Sequence, residues 1–315
     1  MTTSNSRIKN LELTNMDLKT NLEEIEKDFE GTLGITAINL GTGEEAIVNG
    51  DIIFPLASVF KIPVIVTLYR QVDAGNISLD DKMEMTDYAR VPGSGVLKEL
   101  SPGHEMTIRD YRTLMMLISD NTATDMVVDL LGKENINNTM IELGLKDTRI
   151  TTCREILFSF LGLEDVEPNE WTIELWNETI KKMRDECCKL TEEPRRKSDN
   201  VTTPNEMMKL LEKIYRGEAA SRGSCDEIIE LMKKCQTGKN RISKYLPRDE
   251  VEVAHKTGTI KGVANDVGIV FPKEKEPYII CVFTKDIEGE PEIYVPTGEK
   301  AIATASKIVY DCFVT

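Results

Sequence analysis

The hydrophobic pattern of this chain alternates between helix type and strand type, and the order of these segments restricts the possible folds more than any single motif does. Short runs typical of β-strands flank a Gly-Thr-Gly turn in "GITAINLGTGEEAIVNG" (34–50). Over residues 58–242, approximately, the apolar residues recur mostly at helical spacing. Strand patterns return in "VEVAHKTGTIKGVANDVGIVF" (251–271) and "EPYIICVFTKD" (276–286), and an amphipathic helix is expected after Pro296.

Two strands before the helical stretch and about three after it can share one antiparallel sheet only if that stretch leaves the sheet and returns. The sequence therefore predicts an α/β lobe from residues 1–57 and 245–315 and an all-helical lobe from residues 58–244. The α/β lobe would hold a five-stranded antiparallel sheet flanked by N- and C-terminal helices. The N-terminal helix is predicted within "LKTNLEEIEKDFEG" (18–31).

One part of the helical lobe, at about residues 160–200, is an unusual insertion. It is highly charged, yet it holds both tryptophans of the chain. Several of its apolar residues fall roughly along one helical face: Trp171, Leu175, Ile180, Met183 and Cys187. We favour a surface helix with one packed stripe, and the alternative is a lid over a functional site.

The charge balance excludes some classes of partner. Lys and Arg number 39 and Asp and Glu number 54, so the net charge is −15. Such an acidic chain is a poor partner for nucleic acid or an anionic membrane. The N-terminal segment lacks the apolar core of a signal peptide, and no apolar run reaches the roughly 20 residues that span a bilayer. We expect neither a nucleic-acid nor a membrane partner, and the oligomeric state stays open.

The cysteines and histidines indicate neither a disulfide framework nor a metal site. The seven cysteines are odd in number and form no C-x-x-C pair, so reduced thiols in a cytoplasm are expected. His104 and His255 are interpreted as structural residues, and no cofactor or metal is predicted. On a strand, His255 would point to the face opposite Lys256.

The most informative local motif is Ser-Val-Phe-Lys at the start of the first long apolar helix. Ser58 and Lys61 lie three positions apart and share one helical face. A serine in the first turn lies near the positive end of the helix dipole, which favours an alkoxide, and a buried neutral lysine can accept the hydroxyl proton. The spacing alone is weak, because Ser6 and Lys9 share it in a polar tail. A helix cap followed by a solvated charge is the alternative.

A second motif, Ser-Asp-Asn at residues 119–121, separates two apolar helical runs. All three residue types are good N-caps, so a capped helix junction is one interpretation. The functional interpretation has Ser119 relaying a proton to a leaving nitrogen, and Asn121 orienting the substrate and the lysine amine. The tripeptide recurs at residues 198–200 in a polar loop, where we assign it a capping role. The first copy lies between helices expected to be buried, where a polar group must be paired or used.

A third motif, Lys-Thr-Gly, falls on a predicted strand. Lys256 offers a fixed positive charge, and the Thr257 hydroxyl is suited to a carboxylate. Gly258 would let a ligand approach the backbone closely. In this order the three motifs form the signature of class A β-lactamases and penicillin-binding proteins.

The chain accordingly resembles the class A β-lactamase-like serine hydrolases from about residue 34 to its C-terminus, including "SGVLKEL", "MTIRDYRTLMMLISDNTATDMVVD" and "AHKTGTIKGVANDVGIVF". The resemblance implies the sheet and helical lobe described above. It also implies that Ser58 is the acylated nucleophile, Lys61 its proton partner and Ser119 the proton relay. Substrate binding is assigned to Asn121, Lys256, Thr257, Gly258 and Thr259. The backbone N–H groups of Ser58 and Thr259 would form the oxyanion hole.

The resemblance fails in the omega loop, where class A β-lactamases carry a Glu-x-x-Leu-Asn type motif whose glutamate activates the deacylating water. Alignment from "LKDTRI" (145–150) places Arg154 at the glutamate's position and Glu155 beside it. Glu174 in "WTIELWN" (171–177) is a second candidate if an insertion rebuilds the loop. The strand after Lys-Thr-Gly shows no arginine, so a weaker carboxylate clamp is expected.

Three functions fit these residues. The first is a serine hydrolase that opens a β-lactam or related amide through a Ser58 acyl-enzyme, with impaired deacylation. The second is a penicillin-binding-protein-like D-Ala-D-Ala peptidase or acyl transferase. The third is a non-catalytic module that keeps the fold and binds a ligand. The first two require Ser58 to be acylated, and the third does not.

Overall fold

The computed structural model describes residues 17–159, 170, 172–185 and 200–314. Several residues named above lie outside this part of the chain: Ser6, Lys9, Trp171, Cys187, Ser198 and Asp199. The capping role of the second Ser-Asp-Asn copy therefore stays a prediction. The same holds for the packed stripe and the lid in the insertion.

The regular elements of the described residues are numbered in chain order. The strands are β1 (Thr32–Asn39), β2 (Glu45–Val48), β3 (Phe54–Pro55), β4 (Lys82–Met85), β5 (His104–Thr107), β6 (Val201–Thr202), β7 (Val251–Ile260), β8 (Val263–Pro272) and β9 (Tyr278–Lys285). The α-helices are α1 (Leu18–Lys27), α2 (Lys61–Asp73), α3 (Ile108–Leu117), α4 (Asn121–Leu131), α5 (Lys133–Glu142), α6 (Cys153–Ser159), α7 (Ile173–Asp185), α8 (Pro204–Arg216), α9 (Arg222–Lys233) and α10 (Pro291–Val314).

Five strands form one sheet in the order β2-β1-β9-β8-β7, and every neighbouring pair is antiparallel. β1 and β9 pair along their whole lengths, with Thr32 opposite Lys285 and Asn39 opposite Tyr278. The predicted five-stranded antiparallel sheet, with two strands before the helical stretch and three after it, is confirmed. β7 is an edge strand, so one of its sides is open to the rest of the molecule.

Helices cover both faces of the sheet, and β9 shows why its sequence is continuously apolar. Ile280 and Val282 pack in one cluster with α1 and α10, whereas Cys281 and Phe283 pack in a second cluster with α8. Successive residues of a strand point to opposite faces, so a strand covered on both sides reads as an unbroken apolar run. The predicted flanking terminal helices are confirmed.

The helical lobe is built around α2. Every residue from Lys61 to Tyr69 is buried, because α3, α4, α5 and α9 all pack against this helix. A helix that is apolar on all sides belongs in a core. Lys61 is the exception within this run, and its complete burial requires hydrogen-bond partners.

The stretch expected to be mostly helical also contains short strands. β4 pairs with β5, and β3 pairs with β6, each as a separate two-stranded sheet. β4, β5 and β6 lie within the predicted helical lobe, whereas β3 precedes it, and helices make up most of the described part of that lobe. These strands are two to four residues long, too short for alternation to distinguish them from loops.

The C-terminal helix starts earlier than predicted. We expected it after Pro296, but it begins at Pro291 and Pro296 lies inside it. Pro291 fits the first helical position because the N–H that proline lacks has no partner there. Pro296 removes one backbone hydrogen bond from the second turn, and the remainder of this 24-residue helix tolerates that loss.

The division into two lobes at residues 57/58 and 244/245 stays a prediction. α8 and α9 fall within the helical stretch of the sequence, yet they pack against β9 and β7 respectively. Among the described residues, no helix combines the length and the apolar character needed to cross a membrane.

Candidate active site

Ser58 lies where the chain passes from the sheet side of the molecule into α2. Residues 57–60 form one turn of 3-10 helix, and α2 starts at Lys61. Ala57 has φ +46°, a left-handed conformation that is uncommon for a residue with a side chain. Such strain concentrates at functional sites. Ser58 is half-buried between buried neighbours, so its hydroxyl is the polar group of this turn that a ligand can reach.

The Lys61 amine connects the first two motifs. Lys61 Nζ lies 3.0 Å from Ser58 Oγ, 3.0 Å from Ser119 Oγ and 3.0 Å from Asn121 Oδ1. It also donates to the Ser119 carbonyl oxygen at 2.9 Å. Burial lowers the pKa of Lys61, and the nearby carboxyl groups of Asp125 and Asp120 oppose that effect. A neutral amine in this position can accept the Ser58 proton.

The Ser-Asp-Asn segment serves both interpretations that its sequence allowed. Asp120 caps α4 by accepting the Ala123 N–H, which is the structural role. Ser119 adopts φ +59°, and its hydroxyl turns toward the buried lysine. Asn121 accepts from Lys61 and donates to the Pro92 carbonyl oxygen at 2.9 Å. The capping residue and the two functional candidates are therefore different members of one tripeptide.

Lys256 brings the third motif to the same hydroxyl. Its amine is fully buried, 3.0 Å from Ser119 Oγ and 2.9 Å from the Thr257 carbonyl oxygen. Burial lowers the pKa of Lys256 to about 7, and the adjacent Lys61 contributes to the shift. Ser119 thus stands between two buried amines whose protonation states are coupled.

Gly258 explains how closely β7 approaches Ser58. A Cβ at this position would lie 2.6 Å from the Leu56 carbonyl oxygen and 3.2 Å from the Ser58 nitrogen. A side chain there would push the strand away from the Ser58 turn. The glycine is therefore required for this packing, and it also leaves the strand edge open beside Ser58.

The hydroxyl groups of Thr257 and Thr259 on this strand are each hydrogen-bonded by a residue that precedes the strand. Thr257 Oγ1 lies 2.6 Å from Thr237 Oγ1, and Thr259 Oγ1 accepts a hydrogen bond of 2.6 Å from Arg241 Nη2. Thr257 is 6% exposed, so its hydroxyl is at the margin of the accessible surface. The structure places both residues beside the Ser58 turn through their shared strand.

Arg241 is a residue that the motif search missed. Its guanidinium donates to the carbonyl oxygens of Gly258 at 3.0 Å and Asn265 at 2.7 Å, in addition to Thr259. It also pairs with Glu299 on α10. An arginine was sought in the strand after Lys-Thr-Gly, but this one precedes the motif, in "TGKNRI". Arg241 therefore places a fixed positive charge next to the strand that carries Thr259.

The region aligned with the omega loop presents an arginine rather than a carboxylate. Arg154 stacks on the Tyr88 ring at 4.3 Å and donates to the Tyr88 carbonyl oxygen at 3.1 Å. Glu155 points elsewhere: its carboxylate pairs with Lys133 at 2.8 Å and accepts the Thr152 N–H. In the described part of the chain neither side chain hydrogen-bonds to Ser58, so the structure does not join Glu155 to the motif cluster.

Glu174, the second candidate for the deacylating base, lies on α7. Its carboxylate is 3.8 Å from Arg90 Nη1, and 60% of its side chain is exposed. It makes no hydrogen bond with the residues of the three motifs in the described part of the chain. Glu155 and Glu174 are thus engaged by Lys133 and Arg90 rather than by Ser58.

The buried carboxyl group of Asp125, near the cluster, is also engaged in hydrogen bonds. Asp125 accepts the backbone N–H groups of Cys153 at 2.7 Å and Arg154 at 2.9 Å, which attaches the start of α6 to α4. Burial raises the pKa of Asp125 to about 6. The Cys153 thiol in turn lies 3.4 Å from Asn121 Oδ1. This packing was not predicted, because it joins backbone donors of one segment to a side chain of another.

The histidines lie outside the cluster. His104 is exposed on β5, and His255 lies on β7 with Nδ1 2.9 Å from Asp266 Oδ1. Lys256 reaches Ser119 whereas His255 contacts β8, so the predicted opposite orientation of these two neighbours is observed.

Comparison with known proteins assigns this geometry to a family. The family model described as the beta-lactamase enzyme family matches residues 17–313. Beta-lactamase VEB-1 of Pseudomonas aeruginosa is 26% identical, with 97% of this chain and 92% of that protein covered. The crystal structure of a beta-lactamase from Sphaerobacter thermophilus superimposes with a TM-score of 0.75 at 27% identity, covering 95% of this chain and 98% of that one.

A further solved structure, PBP-A, superimposes with a TM-score of 0.74 at 27% identity and covers 96% of each chain. A mutant of PBP-A is known as an acyl-enzyme complex with penicillin G. The family expected from the three motifs is confirmed over nearly the whole length. This chain belongs to the beta-lactamase enzyme family.

Proposed function

We propose that the protein is a serine hydrolase that opens β-lactams or related cyclic amides through an acyl-enzyme on Ser58. One observation carries the proposal: Lys61 Nζ lies 3.0 Å from both Ser58 Oγ and Ser119 Oγ. The nucleophile, a base and a proton relay are therefore in direct contact. The relatives named above are β-lactamases, which supports a β-lactam as the small-molecule substrate.

The proposed acylation follows from these contacts. Lys61 takes the proton of Ser58 as Oγ attacks the carbonyl carbon of the amide. The backbone N–H groups of Ser58 and Thr259 are assigned to the developing oxyanion. The C–N bond then breaks, and the leaving nitrogen receives a proton from Ser119 Oγ, which regains one from a neighbouring amine. Lys256 and Thr257 are assigned to the substrate carboxylate, and Asn121 to its amide group.

We further propose that deacylation is slow. The position aligned with the family glutamate holds Arg154, whose guanidinium is stacked on Tyr88. The carboxylates of Glu155 and Glu174 are engaged by Lys133 and Arg90. A water attacking the acyl-enzyme would therefore lack the carboxylate that removes its proton, and general-base catalysis contributes about 10²–10⁴-fold to such steps.

A D-Ala-D-Ala peptidase or acyl transferase is the second candidate. The observation that favours it is the same arginine at the glutamate position, together with the similarity to PBP-A over 96% of the chain. Such an enzyme needs the acylation machinery but transfers its acyl group to a substrate that this site would have to bind. The two candidates share Ser58, Lys61 and Ser119 and differ in the acceptor of the acyl group.

The experiment combines a chromogenic cephalosporin with intact-protein mass spectrometry. We expect an adduct that maps to Ser58, forms within minutes and turns over slowly. Fast turnover would contradict slow deacylation. Release of D-Ala from a peptide ending in D-Ala-D-Ala would favour the second candidate. If neither an adduct nor turnover is observed, the protein is a ligand-binding module and the proposal is wrong. Ser58→Ala is the control, and it should abolish the adduct without changing the fold.

A further inference from the structure

A second cluster of reactive side chains lies on the face of β7 opposite to Lys256. His255 Nδ1 is 2.9 Å from Asp266 Oδ1 and 3.1 Å from Asp266 Oδ2. The Cys235 thiol, which follows α9 in the chain, lines the same cavity as His255. A thiol, an imidazole and a buried carboxylate are therefore grouped at this face of the strand.

The cluster opens into a cavity. A pocket of about 220 Å³ is lined by Cys235, His255, Lys233, Arg248, Leu246 and Val253, among others. Cys235 is half-buried, so a small molecule in this cavity reaches its sulfur. Arg248 is exposed at the cavity, and Lys233 pairs with Glu230 and Glu252 on its rim. The cavity thus combines a thiol, apolar walls and positive charge.

The electrostatics of the cluster favour a thiolate. Burial alone would raise the pKa of Cys235, but His255 and Lys256 outweigh it and lower that pKa to about 7. Burial likewise opposes protonation of His255, yet Asp266 raises its pKa to about 10. The imidazolium therefore faces a thiol that is half-ionised near neutral pH. By contrast, burial raises the pKa of Cys153 and of Cys281.

Other uses of the cluster fit less well. Among the described residues, no group of His, Cys, Asp and Glu side chains is arranged to hold a metal ion. The remaining chemistry open to an accessible thiolate beside an imidazolium is nucleophilic attack on small electrophiles.

We propose that Cys235 is a modification site that undergoes thiol–disulfide exchange with small carboxylate-bearing disulfides. The Cys235 thiolate attacks one sulfur of the disulfide, and a new S–S bond forms to Cys235. The old S–S bond breaks, and its other half leaves as a thiolate that takes a proton from water. The Arg248 guanidinium at the cavity binds a carboxylate of the small molecule.

Modification would reach the substrate side of β7 through two hydroxyl groups. Cys235 Sγ lies 3.3 Å from Thr237 Oγ1, and Thr237 Oγ1 lies 2.6 Å from Thr257 Oγ1. A mixed disulfide on Cys235 replaces the first contact and displaces Thr237, the partner that orients the Thr257 hydroxyl. Acylation of Ser58 should then slow. This second part of the proposal rests on the proposed function.

The direct test is the pH profile of alkylation of the wild-type protein by iodoacetamide, resolved for each cysteine by peptide mapping. We expect a midpoint near pH 7 for Cys235. At pH 7 about half of Cys235 is thiolate, whereas burial raises the pKa of exposed Cys312, so Cys235 should be labelled at least about fivefold faster even though a thiolate of lower pKa is less nucleophilic. A midpoint above pH 8.5, or labelling no faster than that of Cys312, overturns the proposal.

Two variants complete the test. His255→Gln should move the Cys235 midpoint upward by more than one pH unit, and the wild-type profile decides the question if that variant does not fold. Oxidised glutathione should add one glutathione to Cys235 and slow Ser58 acylation at least threefold, and it should not slow acylation in Cys235→Ser. Unchanged acylation in fully modified protein overturns the coupling. Absence of any Ser58 adduct before treatment counts against the proposed function and leaves the alkylation result standing.

Discussion

The amines of Lys61 and Lys256 both donate to the Ser119 hydroxyl, each at 3.0 Å. Both lysines are fully buried. Two ammonium groups on one small hydroxyl repel each other, and burial penalises each charge. The pKa of each amine is accordingly lowered, and the state with one shared proton is favoured over the state with two. This relationship leads to the first two predictions.

Lys256→Met should stabilise the protein in mildly acidic solution. The folded protein loses the Lys256 proton near pH 7, whereas the unfolded chain keeps it to about pH 10.4, so folding with the charged amine costs up to about 5 kcal/mol below pH 7. The substitution leaves Ser119 Oγ and the Thr257 carbonyl oxygen without this donor, which offsets roughly 1–3 kcal/mol of the gain in stability. We expect the free energy of unfolding at pH 6 to rise by roughly 2–4 kcal/mol, measured by denaturant titration, and Ser58 acylation to fall.

The sign can be checked against pH. Between pH 7 and 10.4 the Lys256 amine is protonated in the unfolded chain but not in the folded protein, so the Lys256 contribution to stability rises with pH and the advantage of Lys256→Met shrinks. The contribution of His255, whose pKa is raised to about 10, falls over the same range and is common to both proteins. Exposed Lys239→Met is the matched control and should change little. An advantage that grows with pH would contradict this account.

Lys61→Arg should stop acylation while keeping the positive charge. An arginine stays protonated at all accessible pH values, so it cannot accept the Ser58 proton. We expect adduct formation to slow about 10²–10⁴-fold. The wild-type rate should increase with pH as Lys61 loses its proton, and the variant should show no such increase. Stopped-flow acylation at several pH values measures both, and a variant rate within tenfold of wild type would refute the assignment of Lys61 as the base.

Gly258→Ala should displace β7 from the nucleophile. The new Cβ would lie 2.6 Å from the Leu56 carbonyl oxygen, a backbone atom that cannot rotate away. We expect at least tenfold slower acylation and about 1–3 kcal/mol lower stability. Gly223→Ala on α9 is the control, because its Cβ meets nothing within 4 Å. Alanine there should raise stability by up to about 1 kcal/mol and leave acylation unchanged.

Glu155→Gln and Glu174→Gln should leave the lifetime of the Ser58 adduct within twofold of wild type. Their carboxylates are engaged by Lys133 and Arg90, so neither is placed to activate a water at Ser58. Glu155→Gln should cost at most about 1 kcal/mol of stability, because its ion pair is only partly buried. Time-resolved mass spectrometry of the adduct gives the lifetimes. A tenfold longer adduct in either variant would identify that glutamate as the deacylating base.

Sequence periodicity predicted the sheet because strands before and after the helical stretch leave strong local signals in the sequence. The continuous apolar run in β9 and the Gly-Thr-Gly turn before β2 need no knowledge of their partners. The short strands β3 and β6 are different, since two residues carry no alternation. The predicted start of the C-terminal helix was wrong because the chain offers two prolines. Proline is common at the first helical position, and that position is taken by Pro291 rather than by Pro296.

In the candidate site, too, local contacts could be predicted from the sequence and long-range contacts could not. Ser58 and Lys61 share one helical turn, so their spacing alone predicts contact. The contact of Ser119 with Lys256 joins distant segments, and the sequence indicated it only through the known motif set. Arg241 was missed because its partners include the carbonyl oxygens of Gly258 and Asn265, which leave no trace in residue type. Backbone acceptors become visible only when the chain is folded.

The strand order has a consequence for how the chain folds. β1 lies in the interior of the sheet, and its partner β9 follows only after the whole helical stretch, with Thr32 opposite Lys285. While a ribosome extends the chain, the hairpin of β1 and β2 has one edge unpaired and exposed to other nascent chains. Contacts so distant in sequence also make assembly slow. The turn at Ser58 therefore gains its neighbouring strand β7 only after the helices between them have been synthesised.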